Sequence, residues 1–127
     1  MTAAFVTRVL VVEPDAIAPD GSEVRLLAAS ARGSMAQFTL PPGAISKAVA
    51  HHSVEEIWLV LRGEGRMWRK LGEMEETMIL RPGISLSIPV ATGFQFRNDG
   101  AEALEAVGVT MPPWPGMDEA YAVEGVW

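Results

Sequence analysis

The spacing of turn signals constrains the fold of this chain more than any other sequence feature. Glycine- and proline-containing breaks at 32–33, 41–43, 63–65, 72–73, 81–83, 91–93 and 98–100, together with a turn-length interval at 52–55, separate short runs rich in apolar and β-branched residues. Breaks recurring about every eight to twelve residues, with no convincing helical pattern between them, are typical of an antiparallel sandwich or small barrel. We therefore predict an all-β protein. The 127 residues suffice for one domain with a sizeable core and are too few for two.

Ten strands follow from this pattern. They are predicted at 5–13, 23–30, 34–40, 44–51, 56–62, 66–71, 75–80, 84–89, 93–97 and 104–111. The composition of 23–30 fits either a helix or a strand, and we favour a strand because its neighbours are strands. The prolines at 112, 113 and 115 predict a rigid extended tail over 112–127 with a short element at 117–122. Three aromatic residues of this tail are expected to pack outside the barrel or on a neighbouring molecule: Trp114, Tyr121 and Trp127.

Charge and composition exclude several functional classes. The net charge is −6, the pI is about 4.8, and no basic patch is visible, so we expect no nucleic-acid partner. The absence of cysteine excludes disulfides and thiol catalysis. The N-terminal residues 1–15 lack the basic start of a signal peptide, and Arg8 interrupts their apolar run. No apolar run approaches the length of a membrane span. We expect a cytoplasmic protein.

The stretch 43–63 contains the residues with the most obvious chemical potential. It holds both histidines of the protein, His51 and His52, followed by Glu55, Glu56 and the apolar run IWLVL. The short interval between His52 and Glu55 predicts a tight turn between two strands. On one straight strand His51 and Glu56 would face opposite sides, but across a turn both can point into the same cavity.

Strand alternation then predicts which side chains line that cavity. If Glu56 points into the barrel, Trp58 and Val60 do so as well, and Phe94, Phe96 and Asn98 share one face of a later strand. The predicted lining is Val49, Trp58, Val60, Phe94, Phe96 and Asn98, with His51 and Glu56 as its polar groups. An apolar cavity with a few polar groups is how small-molecule pockets are usually built.

The opposite face of the strand at 56–62 is also apolar. It carries Ile57, Leu59 and Leu61. A strand that is apolar on both faces is expected to be buried on both, and a second layer must then cover the outer one. We expect a partner subunit to supply it, which makes the protein a homodimer.

Two spaced motifs resemble those of the cupin family. The family's first motif, G-x5-H-x-H-x4-E-x6-G, is matched by Gly43, His51, Glu56 and Gly63, with Val49 at its first histidine position. The second motif is G-x5-P-x-G-x2-H-x3-N. Its matching residues are Gly83, Pro89 and Asn98, while Ala91 replaces a glycine and Phe94 replaces the histidine. The resemblance spans about 34–110.

The resemblance implies a fold and a metal site. The fold would be a double-stranded β-helix, or jelly roll, of antiparallel strands. Cupins bind a metal through three histidines and one carboxylate, and His51 and Glu56 are the two positions retained here. The implied cofactor is one divalent ion (Zn, Ni, Fe or Mn) or none, since the set is incomplete. His52 would add a ligand only through a bulge, and Gln95 only through a one-residue shift of its strand.

Three interpretations of His51 and Glu56 stay open on the sequence. They are metal ligands, a buried hydrogen-bonded pair, or a general acid and base acting on a bound substrate. The corresponding functions are a cupin-type enzyme, such as an isomerase, cyclase or oxygenase, and a non-catalytic, metal-free barrel that binds or senses a small ligand. In both cases we expect the ligand to be a small organic molecule, apolar or aromatic in character.

Overall fold

A computed structural model describes residues 5–127, which form eleven strands and one turn of 3₁₀ helix. Residues 1–4, where the segment compared with a signal peptide begins, lie outside the described residues. The strands are β1 (Ala16–Ile17), β2 (Glu23–Ser30), β3 (Gly33–Leu40), β4 (Val49–His51), β5 (Glu55–Arg62), β6 (Gly65–Leu71), β7 (Met74–Leu80), β8 (Ser85–Ile88), β9 (Gly93–Asn98), β10 (Leu104–Met111) and β11 (Ala120–Ala122). The 3₁₀ turn spans Met117–Glu119. No helix among the described residues is long and apolar enough to cross a membrane.

The strands form two antiparallel sheets. The first sheet has the order β1-β2-β3-β10-β5-β8, and the second has the order β11-β4-β9-β6-β7. Consecutive strands repeatedly change sheet, as β4 to β5 and β5 to β6 do, so the chain winds between the two layers. This is the double-stranded β-helix, and the predicted fold class is confirmed.

The hydrophobic core lies between the sheets, where the inward-facing residues of both meet. Burial alternates along all of β10 and along β5 as far as Leu61, as the two-residue period of a strand requires. Aromatic rings occupy the centre, with Trp58 edge-on to Phe96 at 5.2 Å between ring centroids. Each such side chain removed from water stabilises the fold by about 2–3 kcal/mol. The core cluster comprises Leu40, Val49, Trp58, Val60, Met67, Leu80, Leu86, Ile88, Phe94, Phe96, Leu104 and Ala106.

Most of the predicted strands are present, including 23–30, for which a helix was the alternative. The strand expected at 44–51 is shorter, because only Val49–His51 pairs as a strand. The residues before it bond elsewhere. The N–H of Ser46 donates to the carbonyl of Phe96, and that of Lys47 donates to the carbonyl of Asp20.

The strand predicted at 5–13 is wrong. No residue of this segment pairs in a sheet, and its apolar side chains are exposed, Phe5 by 91%. Strand propensity alone does not make a strand, because the backbone needs a ladder partner. Here the carbonyls of Val11 and Val12 accept hydrogen bonds from the guanidinium of Arg25 instead.

The outer face of β5 carries the apolar side chains that the alternation predicts. Ile57, Leu59 and Leu61 point away from the core and are about half exposed in the single chain. The partner subunit expected to cover this face stays a prediction.

Candidate functional site

An apolar cavity of about 130 Å³ lies at one end of the barrel interior. Its wall includes aromatic rings from both sheets, two carboxyl groups and one histidine. The lining residues are Ala16, Ile17, Ala18, Pro19, Asp20, Val24, Leu26, Ser34, Met35, Ala36, Phe38, Val49, His51, Glu56, Trp58, Phe94, Thr110, Trp114 and Met117. Five of these were predicted from the sequence, namely Val49, His51, Glu56, Trp58 and Phe94.

The turn between β4 and β5 brings His51 and Glu56 to the same cavity. His51 ends β4 in the second sheet, and Glu56 lies near the start of β5 in the first sheet. Residues 52–54 connect the two sheets, and Val54, the last residue of this connection, is fully buried. The side chains therefore enter the cavity from its two walls rather than from the arms of a hairpin.

His51 is held among aromatic rings and is 5% exposed. Its imidazole lies edge-on to Phe94 and Trp114, with centroids 5.4 and 5.0 Å away. Burial lowers the pKa of His51, and the negative charge of Glu119 opposes this shift without cancelling it. The ring is therefore neutral at neutral pH. Its Nδ1 atom is buried without a hydrogen-bond partner among residues 5–127, which is unusual for a buried polar atom.

Glu56 is 4% exposed and lacks a counter-charge. Burial raises its pKa to about 8, and the negative charge of Asp20 raises it further, while the Trp58 indole N–H acts in the opposite direction. That indole N–H approaches the carboxyl but makes no hydrogen bond of normal geometry. No hydrogen bond joins Glu56 to His51 in the described part of the chain. The interpretation of these two residues as a hydrogen-bonded pair is therefore wrong, because His51 turns its ring toward the aromatic residues.

Asp20 is the acidic residue of the cavity that sequence reasoning missed. It lies in the turn before β2, where its Oδ1 accepts hydrogen bonds from the N–H and the hydroxyl of Ser22 at 2.9 and 2.7 Å. Burial raises the pKa of Asp20, and the bonds from Ser22 partly offset this effect. The sequence Pro-Asp-Gly signals a turn, but nothing in it indicates that the turn folds over the barrel mouth.

Trp114 also lines the cavity, although the sequence predicted it outside the barrel. The correction has a local cause. The Trp114 N–H donates to the hydroxyl of Ser34 at 2.9 Å, and that hydroxyl also contacts Thr110. This hydrogen bond holds the tail against the start of β3, and the Trp114 indole packs against His51. Of the other tail aromatics, Tyr121 lies against His52, and Trp127 lies over Arg66 and Arg97.

The tail further fixes the turn that carries His51. Strand β11 pairs with β4, so that Ala120 lies opposite His51. The Glu119 carboxylate accepts hydrogen bonds from the N–H and hydroxyl of Ser53 and from the N–H of Val54. Burial tends to raise the pKa of Glu119, but these bonds outweigh it, and the pKa lies below its usual value. Glu119 is thus an ionised clamp on residues 52–54.

Three residues predicted to line the cavity do not reach it, namely Val60, Phe96 and Asn98. Each points inward as the alternation requires, but lies further along its strand and is buried in the core. The Asn98 side chain makes three hydrogen bonds to the backbone. It donates to the carbonyls of Leu40 and Glu102 and accepts from the N–H of Gly100. Its role is structural.

The two additional ligands considered from the sequence point away from the cavity. His52 is exposed, and its ring lies 4.5 Å from that of Tyr121. Gln95 is buried on the other face of β9, where its amide donates to the carbonyls of Ser46 and Trp127. Its oxygen accepts from the N–H groups of Val126 and Trp127. Neither the bulge nor the strand shift that would redirect these residues is present.

Ala91 occupies the position where the motif has glycine, and its backbone conformation explains why glycine is preferred there. Its φ is 67°, a left-handed conformation that favours glycine. From this conformation its N–H donates to the carbonyl of His51 at 3.1 Å. A strained residue therefore anchors the backbone of the histidine in the cavity wall.

A family model described as Cupin domain matches residues 36–110, more than half of the chain. The chain belongs to the cupin family. Its barrel is similar to that of an uncharacterized double-stranded β-helix protein from Klebsiella pneumoniae, with a TM-score of 0.68, 17% identity, and coverage of 82% of this chain and 85% of that one. It is also similar to oxalate decarboxylase from Bacillus subtilis, with a TM-score of 0.72, 21% identity, and coverage of 87% and 30% respectively. At such identities the likeness concerns the fold alone.

One curated relative is the xanthan biosynthesis protein XanB of Xanthomonas campestris pv. campestris. It is 27% identical over 96 residues, which are 76% of this chain. The chain spans about a fifth of the length of this relative, since the match covers 20% of it.

The residues of this cupin do not fit the metal site of the family. Val49 and Phe94 stand at two of the four ligand positions and carry no donor atoms. Among residues 5–127, no three His, Cys, Asp or Glu side chains lie close enough together to hold a metal ion. A stable divalent site generally takes three or more protein ligands. His51 and Glu56 alone supply two.

Proposed function

We propose that this cupin barrel binds a small organic molecule in the cavity, with aromatic walls around its apolar part and His51 and Glu56 as its polar contacts. The observation that carries the proposal is the state of these two side chains. Both are at least nine-tenths buried and both line the cavity. Within the described part of the chain, His51 Nδ1 has no hydrogen-bond partner, and Glu56 is approached by the Trp58 indole N–H without a hydrogen bond of normal geometry. Buried polar groups normally have partners. A bound ligand would supply them.

The cavity also limits the size of this ligand. Its volume of about 130 Å³ is similar to that of an engineered protein cavity of about 150 Å³ that binds benzene. A molecule of about six to eight heavy atoms fits this space. The Trp114 indole closes one side, so a larger ligand would require the tail to move.

The names of the relatives suggest substrates that the cavity does not favour. Oxalate is a dianion, whereas this cavity contains two carboxyl groups and neither lysine nor arginine. Removing a dianion from water into a cavity without a positive charge would cost free energy. XanB is named for xanthan biosynthesis, and a polysaccharide is far larger than this cavity.

The proposal is tested with benzyl alcohol as a neutral aromatic probe, following the indole N–H signals of Trp58 and Trp114 by NMR. We expect saturable shifts in both signals. His51→Ala should weaken binding about tenfold or more, because it removes both a ring contact and a polar partner. The matched control, His52→Ala, should change affinity little. Absence of saturable shifts, or equal effects of the two variants, would contradict binding in this cavity.

A metal-dependent reaction is a separate question, and elemental analysis of untagged protein addresses it. The double variant Val49→His, Phe94→His restores the four-ligand set on two cross-strand neighbours that both line the cavity. We expect it to bind Zn²⁺ or Ni²⁺ at least about 100-fold more tightly than the natural protein. Equal affinities would mean that the register of these side chains is not the one described.

A further inference from the structure

The ionisable groups in the cavity wall are mostly acidic. Among the residues that line the cavity, Asp20 and Glu56 are the only acidic ones. His51 is the only basic one, and neither lysine nor arginine is present. His51 is kept neutral by its apolar surroundings, since burial lowers its pKa. The cavity therefore offers two carboxyl groups and no positive charge. Burying carboxyl groups without a counter-charge is costly.

Of the two carboxyls, Glu56 is the one that accepts no hydrogen bond of normal geometry. Asp20 accepts two hydrogen bonds from Ser22, whereas no hydrogen bond to Glu56 is found within residues 5–127. Glu56 is also 96% buried, being 4% exposed, and belongs to the cavity wall. It is available to a ligand, and its negative form would be stabilised by a positive one.

The rest of the wall is suited to a cation as well. Phe38 stacks on Trp58 at 5.0 Å between centroids, and Phe94 lies edge-on to Trp58 at 6.3 Å. Trp114 lies across the cavity against His51. Four aromatic rings and two carboxyl groups lining one small cavity resemble the aromatic cages that recognise ammonium groups.

We propose that the cavity selects a small organic cation, an ammonium ion whose charge lies near Asp20 and Glu56 and whose carbon atoms contact the aromatic rings. The inference rests on the proposed ligand-binding function and adds the chemical class of the ligand. The volume of the cavity restricts this class to ions of about six to eight heavy atoms. The net charge of −6 would also attract cations toward the protein.

A pair of isosteric probes tests the inference on the natural protein. Choline carries a quaternary ammonium group, and 3,3-dimethylbutan-1-ol has the same shape with carbon in place of nitrogen. We expect calorimetry at neutral pH to show choline binding at least about tenfold more tightly. Equal affinities, or tighter binding of the alcohol, would overturn the cation inference while supporting ligand binding in the cavity. Binding of neither probe would also overturn it, and the benzyl alcohol experiment then decides the proposed function separately.

Matched variants locate the selectivity. Glu56→Gln keeps the shape of the side chain but cannot lose a proton to become negative when a cation binds, so the preference for choline should fall to near parity while the affinity for the neutral alcohol is retained. Asp20→Asn should reduce the preference in the same direction. Glu55→Gln removes the charge of the exposed neighbour and should leave the preference unchanged. A preference that survives Glu56→Gln, or that falls equally in Glu55→Gln, would show that the cavity carboxyl does not select the cation.

Discussion

The two ends of strand β9 treat buried polar groups in opposite ways. At one end Phe94 faces the cavity, where, among the described residues, His51 Nδ1 lacks a hydrogen-bond partner and Glu56 accepts no hydrogen bond of normal geometry. At the other end, about 13 Å along the strand, Asn98 uses both atoms of its amide in three hydrogen bonds to the backbone. The difference separates a structural end of the barrel from a functional one. A fold satisfies the polar groups that only hold it together, and groups left without partners are expected at sites that bind something else.

The largest effect should come from breaking the structural end. Asn98→Ala would leave the buried Leu40 carbonyl and the part-buried Glu102 carbonyl and Gly100 N–H without their partner, each at a cost of about 1–3 kcal/mol where water does not replace the bond. We expect the free energy of unfolding to fall by about 3–5 kcal/mol in denaturant titrations. A loss below about 1 kcal/mol would mean that water replaces these bonds and that the two ends do not differ as described.

At the cavity end, replacing a buried ionisable group should stabilise the protein rather than destabilise it. The pKa of Glu56 is raised from its usual 4.5 to about 8 by burial and then by Asp20. Between these values the unfolded chain has lost the proton that the folded chain keeps, so the free energy of unfolding falls as the pH rises from about 4.5 to about 8. We expect Glu56→Gln to abolish most of this slope and to stabilise the ligand-free protein at the upper end of the window by at least about 2 kcal/mol.

Urea titrations across that pH range measure this effect. The exposed Glu55→Gln serves as the control and should keep the slope of the natural protein. The burial of Asp20 adds to the slope in the same direction, so part of it should remain in Glu56→Gln. A natural protein whose stability is constant over the window would contradict the description of Glu56 as an unpartnered buried acid.

A smaller effect should follow from loosening the clamp between the tail and the cavity. Glu119→Gln weakens the charged hydrogen bonds to Ser53 and Val54, and we expect it to cost about 1 kcal/mol of stability. Because the charge of Glu119 raises the pKa of His51, its removal should lower that pKa further. An NMR titration of the His51 ring measures this shift. Asp118→Asn, in the adjacent exposed position, should leave the pKa of His51 unchanged.

The smallest effect concerns the strained residue behind His51. Ala91→Gly removes the Cβ that disfavours a φ of 67°, and the relief should exceed the added flexibility of the unfolded chain. We expect stabilisation of about 0.5–1 kcal/mol with no loss of probe binding, measured by thermal unfolding with and without benzyl alcohol. A destabilised variant would indicate that the Ala91 methyl group makes packing contacts that outweigh its backbone strain.

Much of the fold could be predicted because strand formation and face alternation are local. The inward direction of Glu56 and Trp58 followed from the two-residue period of β5, and the turn after His51 followed from its short length. The strand predicted at 5–13 failed because a strand also needs a neighbour to pair with. Its β-branched residues could not indicate whether one would be present within the same chain.

The sequence by itself predicted an antiparallel sandwich or small barrel, its cupin motifs indicated the double-stranded β-helix, and strand alternation placed Glu56 and Trp58 on one face of a strand. Only the tertiary structure decided what surrounds them. Asp20 comes from a turn 36 positions before Glu56 in the chain, and Trp114 comes from a tail 58 positions after it. Their approach to the cavity depends on the paths of loops, which are fixed by contacts such as the bond from the Trp114 N–H to the Ser34 hydroxyl. Alternation along a strand repeats every two residues and is readable from the sequence, whereas contacts between distant loops have no period to read.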